Sequence, residues 1–262
     1  MRALAVLAVL SSLTLGGCAA TTGGRAGALT SGDARVLAAA IADPARPAKQ
    51  REQDEARKPA ETLAFLGLRP GMDAADIITG EGYWAAIMAR VVAPGGSLVA
   101  FAPTQFYTGN GKTALDALIA ASPAARVQAV PFERFGAQPG SFDFAMMNLN
   151  YHDLYWTSEQ YGIGRTDPDA YLRALYTAMR PGGVVGVIDH VGPAGDTRAI
   201  VEILHRIDPA TVRADFERAG FRLEASSDIL ANRADDHTAN VFDAAIRGRT
   251  DRFLYKFRKP RR

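Results

Sequence analysis

A chain of 262 residues can form one large domain or two small ones, and 48% hydrophobic with 22% charged residues is the balance of a folded globular protein with a sizeable core. Thirty basic and 28 acidic side chains leave a formal net charge of +2, so no strong overall field exists to hold nucleic acid, and none is expected as a partner. Any partner must be chosen by a local site.

The chain opens with Met1-Arg2, followed by a run from Ala3 to Leu15 that is apolar except for Ser11, Ser12 and Thr14. That run is too short for a permanent membrane span, which needs about 20 residues, and it fits a secretory signal. Leu15-Gly16-Gly17-Cys18 resembles the lipobox of bacterial lipoproteins. The resemblance implies cleavage before Cys18, acylation of its thiol, and a lipid-anchored protein on the periplasmic side, with Ala19 in the next position pointing to the outer membrane. Cys18 is the single cysteine, so a disulfide cannot be its purpose. The expected organisation is therefore a signal peptide over 1–17, a flexible Gly-, Thr- and Ala-rich tether over 18–32, and one domain over 33–262.

A short helix is expected at Asp33 to Ala42, followed by a charge-rich stretch from Ala45 to Lys58 and a helix opened by Pro59, together an N-terminal helical cap. The charged stretch reads either as a solvated helix face or as a wall closing a pocket through Asp54, Arg57 and Lys58. From Gly71 short apolar runs alternate with helical segments, as in a mostly parallel sheet covered by helices. Strands are expected at Asp73–Ile78, Ser97–Ala102, Val127–Val130, Phe142–Asn148 and Val184–Asp189, with helices at Tyr83–Val92, Thr113–Ala121 and Asp167–Met179. Asp208-Pro209 opens a further helix through Ala219, Phe221 to Ile229 reads as a strand, and Arg252 to Arg258 as the last one. The sum is an α/β, Rossmann-like, seven-stranded and mostly parallel sheet with helices on both faces and an antiparallel last strand.

The densest motif is Asp76-Ile-Ile-Thr79-Gly80-Glu81-Gly82-Tyr83-Trp, placed where the first strand ends and a helix begins. Glycines there let a ligand approach the backbone, beyond the carboxyl end of a strand. Gly80-Glu-Gly82-Tyr-Trp-Ala85 also fits the dinucleotide fingerprint, but the second strand ends Val99-Ala-Phe-Ala-Pro103 without the acid that would hold a ribose. The segment resembles the acid-x-Gly-x-Gly-x-Gly loop of class I S-adenosylmethionine-dependent methyltransferases, with Asp76 as the acid, Gly80 and Gly82 as the later glycines, and Ile78 in place of the first. Arg180-Pro-Gly-Gly183 before an apolar strand and a helix ending Ala219-Gly-Phe221 extend the resemblance over residues 45 to 260. It implies an S-adenosylmethionine site at Asp76, Thr79, Gly80, Glu81, Gly82 and Tyr83.

Three more polar segments complete the pattern. Asn148-Leu-Asn-Tyr-His152-Asp153 follows the fourth strand, and there the resemblance implies the acceptor side of a reaction centre: His152 is the candidate base, with Asn148 and Asp153 orienting it or the substrate. Asp189-His190 ends the fifth strand, and Asp235-Asp-His237-Thr lies in a late loop that could act as a lid, so Asp189, His190 and His237 are candidates for substrate contact. The implied activity is methyl transfer to a small or lipid-associated acceptor. The alternatives are an exported binding protein without turnover and a metal-dependent one; no His-Glu-x-x-His spacing occurs, and no metal site is assigned.

Overall fold

A computed structural model describes residues 29–261. The expected signal peptide, with Cys18, lies outside the described residues. The first helix, α1 (Ser31–Ala42), begins inside the expected tether, because Thr30 and Asp33 form a reciprocal capping box. Two single-turn helices, α2 (Ala48–Arg51) and α3 (Asp54–Arg57), then lead to α4 (Pro59–Leu66), with Pro59 in its first turn.

The sheet strands are β1 (Asp73–Ile77), β2 (Ser97–Pro103), β3 (Ala125–Val130), β4 (Phe142–Asn148), β5 (Met179–His190), β6 (Arg222–Ser227) and β7 (Arg252–Arg258). Between them run α5 (Tyr83–Val92), α6 (Gly109–Ala120), α7 (Pro168–Ala178), α8 (Thr197–Leu204) and α9 (Pro209–Arg218), and a 3-10 turn over His152–Tyr155. The strand order is β3-β2-β1-β4-β5-β7-β6, parallel from β3 to β5, with β7 antiparallel to both of its neighbours. The fold is the expected seven-stranded α/β sheet.

Strand periodicity divides the core in two. Ala74, Leu98, Ala100, Phe144, Met146 and Ile188 face Leu37, Leu63, Leu66, Ile87 and Met88 of α1, α4 and α5. Ala75, Ile77, Phe101, Ala145, Met147 and Val187 face Leu172 and Leu175 of α7 and Val212 and Phe216 of α9. These central strands read as near-continuous apolar runs because both faces are covered.

Two departures from the expected elements bear on the site. β5 begins at Met179 rather than Val184, because Met179 pairs with Phe142 and the Pro-Gly-Gly segment is absorbed as a register shift inside the ladder. α8, not expected from sequence, is capped by Asp196, whose side chain accepts from the Arg198 and Ala199 N–H groups, and it packs against the 3-10 turn.

Candidate functional site

β1 and β4 are adjacent and parallel, and each is stopped by a non-glycine residue in the left-handed region: Ile78 at φ 54° and Leu149 at φ 56°. Both residues line one crevice at the carboxyl edge of the sheet. Asn150 ties the two turns together, its Nδ2 donating to the carbonyls of Ile77 (2.9 Å) and Ile78 (3.1 Å). For a β-branched residue a left-handed backbone costs roughly 1–2 kcal/mol, and such strain clusters at functional sites. Ile78 thus adopts the conformation of the glycine it replaces. Ile78→Gly is expected to match or exceed wild-type stability by about 1 kcal/mol, whereas Ile78→Ala, which keeps a Cβ, should fall about 1 kcal/mol below it. Urea unfolding would rank the pair, and a more stable alanine variant would refute the strain.

The loop that follows turns tightly over the end of β1. Thr79 N–H donates to Phe101 O of β2, and Gly82 N–H donates back to Thr79 O. Gly82, at φ 76°, caps α5, and a Cβ there would come within 2.6 Å of Leu118 and 2.8 Å of Leu115. Gly80, at φ 55°, has nothing within 4 Å of where a Cβ would stand, and it lines the crevice. The loop is open where a ligand could approach and packed where α6 backs it.

Asp76 is buried at the floor of the crevice, accepting the Thr79 hydroxyl at 2.6 Å. Burial pushes its carboxyl up to about 6, against the opposing pull of that hydroxyl, the Ala85 N–H and the Arg57 charge. A carboxyl whose folded pKa is raised gives stability that is present below the unfolded pKa and lost as pH rises through about 6. Asp76→Asn does not titrate, so between pH 4.5 and 7.5 its stability relative to wild type should improve by about 2 kcal/mol. Denaturant midpoints at the two pH values test this, and a difference that ignores pH would contradict it.

The crevice has two adjoining chambers that share Gln50, Ile78, Gly80 and Glu81. The larger, about 500 Å³, is mostly apolar, with Pro103, Phe106, Tyr107, Leu115 and Leu118 in its walls. The smaller, about 330 Å³, is polar, with Arg57, Asp76, Trp84, Asn148, Asn150 and Asp153. Three buried polar atoms of its lining residues find no hydrogen-bond partner among the described residues: Gln50 Oε1, Trp84 Nε1 and Asn150 Oδ1. A native interior pairs nearly all such atoms, so three on residues around one crevice single it out as the candidate site. Gln50, Trp84 and Asn150 carry no signal of this role in the sequence, whereas Arg57 lines the pocket as one of its sequence readings has it.

The charge-rich N-terminal stretch walls this crevice with Gln50, Gln53 and Arg57, while Arg51, Glu52, Glu55 and Lys58 stay on its exposed side. Arg46, buried, holds Asp54 with two bonds of 2.7 and 2.9 Å, and Asp54 also accepts the Tyr83 hydroxyl at 2.6 Å. Tyr83, expected at the donor site, therefore has its hydroxyl committed to the cap, while its ring carries the Arg57 guanidinium 4.3 Å from its centroid. Lys58 turns away to Ile229 O. Glu81 is largely exposed, facing Lys49 at 3.5 Å.

Beyond β4 the 3-10 turn carries His152 and Asp153. Asp189 of β5, fully buried, takes the His152 backbone N–H (2.8 Å), the His190 N–H (2.8 Å) and His152 Nδ1 (2.7 Å). His152 Nε2 lies 3.2 Å from Asp153 Oδ1. Burial alone would lower the imidazole's affinity for a proton, but the two carboxylates outweigh it and hold the ring well above the ordinary histidine value. Asp153, despite its own burial, is drawn down to about 2 by His152 and His205. His152 has both nitrogens engaged and does not line the crevice, which differs from the placement expected of a base; of the three candidates in that segment, Asn148 and Asp153 are the two that line it.

The other expected substrate contacts are not brought there. Asp189 is spent on positioning His152. His190 Nδ1 sits 2.7 Å from Thr250 Oγ1, and burial lowers its ring to about 3. His237 pairs with Asp251 at 2.9 Å in the late loop. That loop does not form a lid over either chamber: it packs on the end of α8 through Val241 N–H to Leu204 O and Asn240 to Ile203 O.

No protein-family model and no curated protein matches the chain. Solved structures do. They include a SAM-dependent methyltransferase from Aquifex aeolicus, 15% identical with a TM-score of 0.55 over 79% of this chain and 98% of that one. An S-adenosylmethionine-dependent methyltransferase from Mesorhizobium loti is 17% identical, with a TM-score of 0.55 over 79% and 99%. The cyclase SpnF is 17% identical, with a TM-score of 0.51 over 84% and 86%. At these identities the likeness shows the fold alone: the chain has the seven-stranded α/β fold seen in S-adenosylmethionine-dependent methyltransferases.

Proposed function

We propose that the chain binds S-adenosylmethionine in the two-chambered crevice and transfers its methyl group to a small or lipid-associated acceptor. The observation that carries this is the set of unpaired buried atoms of Gln50, Trp84 and Asn150 around the Ile78–Glu81 turn. The chambers differ in the way the donor's two ends differ. The apolar one, between the end of β2 and α6, suits a flat nucleobase among Phe106, Tyr107, Leu115 and Leu118. The polar one sets the Arg57 guanidinium against the Asp76 carboxyl, a pairing that suits a zwitterionic amino-acid head.

The sulfonium donor supplies an already activated methyl group, so the chain's task is alignment and the exclusion of water. Asn148 and Asp153 are the residues placed to orient an acceptor, and His152, clamped by Asp189, fixes the position of Asp153. Calorimetric titration with S-adenosylmethionine and S-adenosylhomocysteine tests the reading. Micromolar binding of both is the expected result, and no binding of either sinks it.

A second reading has its own support. β2 ends in Ala102-Pro103, so no carboxylate stands there to hold ribose hydroxyls. SpnF is a structural neighbour described as a cyclase, and a shared fold does not fix a reaction. Binding of the donor without turnover on any acceptor would favour a binding protein.

We also propose that the chain is exported and lipid-anchored through Cys18, outward of the inner membrane, on the strength of the apolar run and the Leu15–Cys18 segment. Metabolic labelling with a radioactive fatty acid should mark the wild type and not Cys18→Ala; equal labelling, or none, would remove the anchor.

A further inference from the structure

We propose that His152, Asp153 and His205 form a binding site for a divalent first-row transition cation of the zinc kind, at the edge of the crevice. Their ligand atoms lie within 4.8 Å of one another. His152 Nε2 and Asp153 Oδ1 are 3.2 Å apart, and His205 Nδ1 is 3.9 Å from the same oxygen. Zinc bonds of about 2.0–2.2 Å in a tetrahedron put neighbouring ligand atoms about 3.3 Å apart, so the first pair is already spaced for a shared ion and the second needs about half an ångström of closure.

The two imidazoles are also held as metal ligands are held. Asp189 takes His152 Nδ1 at 2.7 Å and is itself fixed by two backbone N–H groups, which directs Nε2 toward Asp153; a carboxylate behind a ligating imidazole sets its orientation in the same way. His205 terminates α8 in the left-handed conformation, φ 50°, with its N–H bonded to Val201 O. Its ring is wedged between Trp156 and Phe242, at centroid distances of 5.2 and 5.0 Å. Its Nδ1 is buried and finds no hydrogen-bond partner among the described residues.

An ion pair between His152 and Asp153 accounts for those two residues but leaves His205 Nδ1 3.9 Å from the same carboxylate oxygen, beyond hydrogen-bond distance; a shared cation satisfies all three. Two imidazole nitrogens and one carboxylate oxygen select zinc-like ions over magnesium or calcium, which prefer all-oxygen shells. Three protein ligands leave a fourth position open, the pattern of a reactive rather than a closed structural site. Asp153 also lines the polar chamber, so that position borders the crevice. His190, 5.8 Å from His152 between ring centroids and bonded through Nδ1 to Thr250, is not one of the residues whose ligand atoms converge there.

The test is titration of the metal-free full chain with Co(II), followed by displacement with Zn(II). One equivalent should bind at micromolar concentration with the intense visible bands of a four- or five-coordinate ion, and Mg(II) should not compete. His205→Gln should weaken binding at least about 100-fold, and Asp189→Asn, which only positions His152, roughly tenfold to 100-fold. His237→Gln, a histidine outside the cluster, should bind as wild type does. Unfolding midpoints without metal check that the variants fold. No uptake by the wild type, or unchanged uptake by His205→Gln, overturns the site. The readout is metal occupancy, so it succeeds or fails separately from donor binding.

Discussion

Asp235→Ala is expected to remove about 3–5 kcal/mol of stability, the cost of leaving a buried charge without its partner. Asp235 faces Arg206, whose side chain is fully buried, through two bonds of 2.9 and 3.0 Å. The guanidinium also donates to Ala239 O and Val191 O, and the carboxylate accepts the N–H groups of His237 and Asp251. Burial alone would raise the carboxyl's pKa, yet Arg206 and the two N–H groups hold it below the ordinary value. One pair therefore pins the late loop to the end of β5, to the segment entering β7, and to the chain that covers His205. Set against a total of about 5–15 kcal/mol for a domain, the loss is large. Asp236→Ala, at the neighbouring exposed position, should cost no more than about 0.5 kcal/mol. Urea unfolding of both variants decides the matter, since equal costs would mean the pair is a surface contact after all.

The sheet was legible from sequence for a simple reason. Buried parallel strands must be largely apolar on both faces, and Leu98–Ala102 and Val184–Ile188 are, as is Ala74–Ile77 apart from Asp76, while Asp167-Pro168 and Asp208-Pro209 announce their helices by cap and first turn. The glycine turn was legible too, down to Ile78, whose backbone keeps the glycine conformation that its side chain disguises. α8 escaped because it is only eight residues long and follows a Gly- and Pro-rich loop, although Asp196 is a good cap. The site's finer geometry was not local. Whether His152 or Asp153 faces the crevice is set by Asp189, which lies 37 residues further on. Gln50 sits in a stretch whose charges look solvated, and it becomes a wall only because Arg46, Asp54 and Tyr83 lock the cap onto α5. The pairing of Arg206 with Asp235 bridges 29 residues, and no periodicity reports it.

Ala114→Trp should abolish measurable donor binding, a loss of at least about 100-fold or roughly 2.7 kcal/mol, while leaving stability within about 0.5 kcal/mol of wild type. Ala114 is an exposed residue of α6 whose side chain lines the apolar chamber beside Leu115 and Leu118. An indole there enters space that the nucleobase needs, without displacing any core residue, so the change acts on the cavity and not on the fold. Ala117, three residues further along the same helix, is exposed and does not line the chamber. Ala117→Trp adds the same bulk and the same apolar surface and should bind the donor as wild type does. Calorimetry on the two variants separates the possibilities. Loss in the first alone places the adenosyl group between β2 and α6; equal affinity in both would place it elsewhere in the crevice. Loss in both would show that α6 tolerates no added ring and that its packing against Gly82, where Leu115 and Leu118 already sit at the limit of approach, is what holds the turn in a binding conformation.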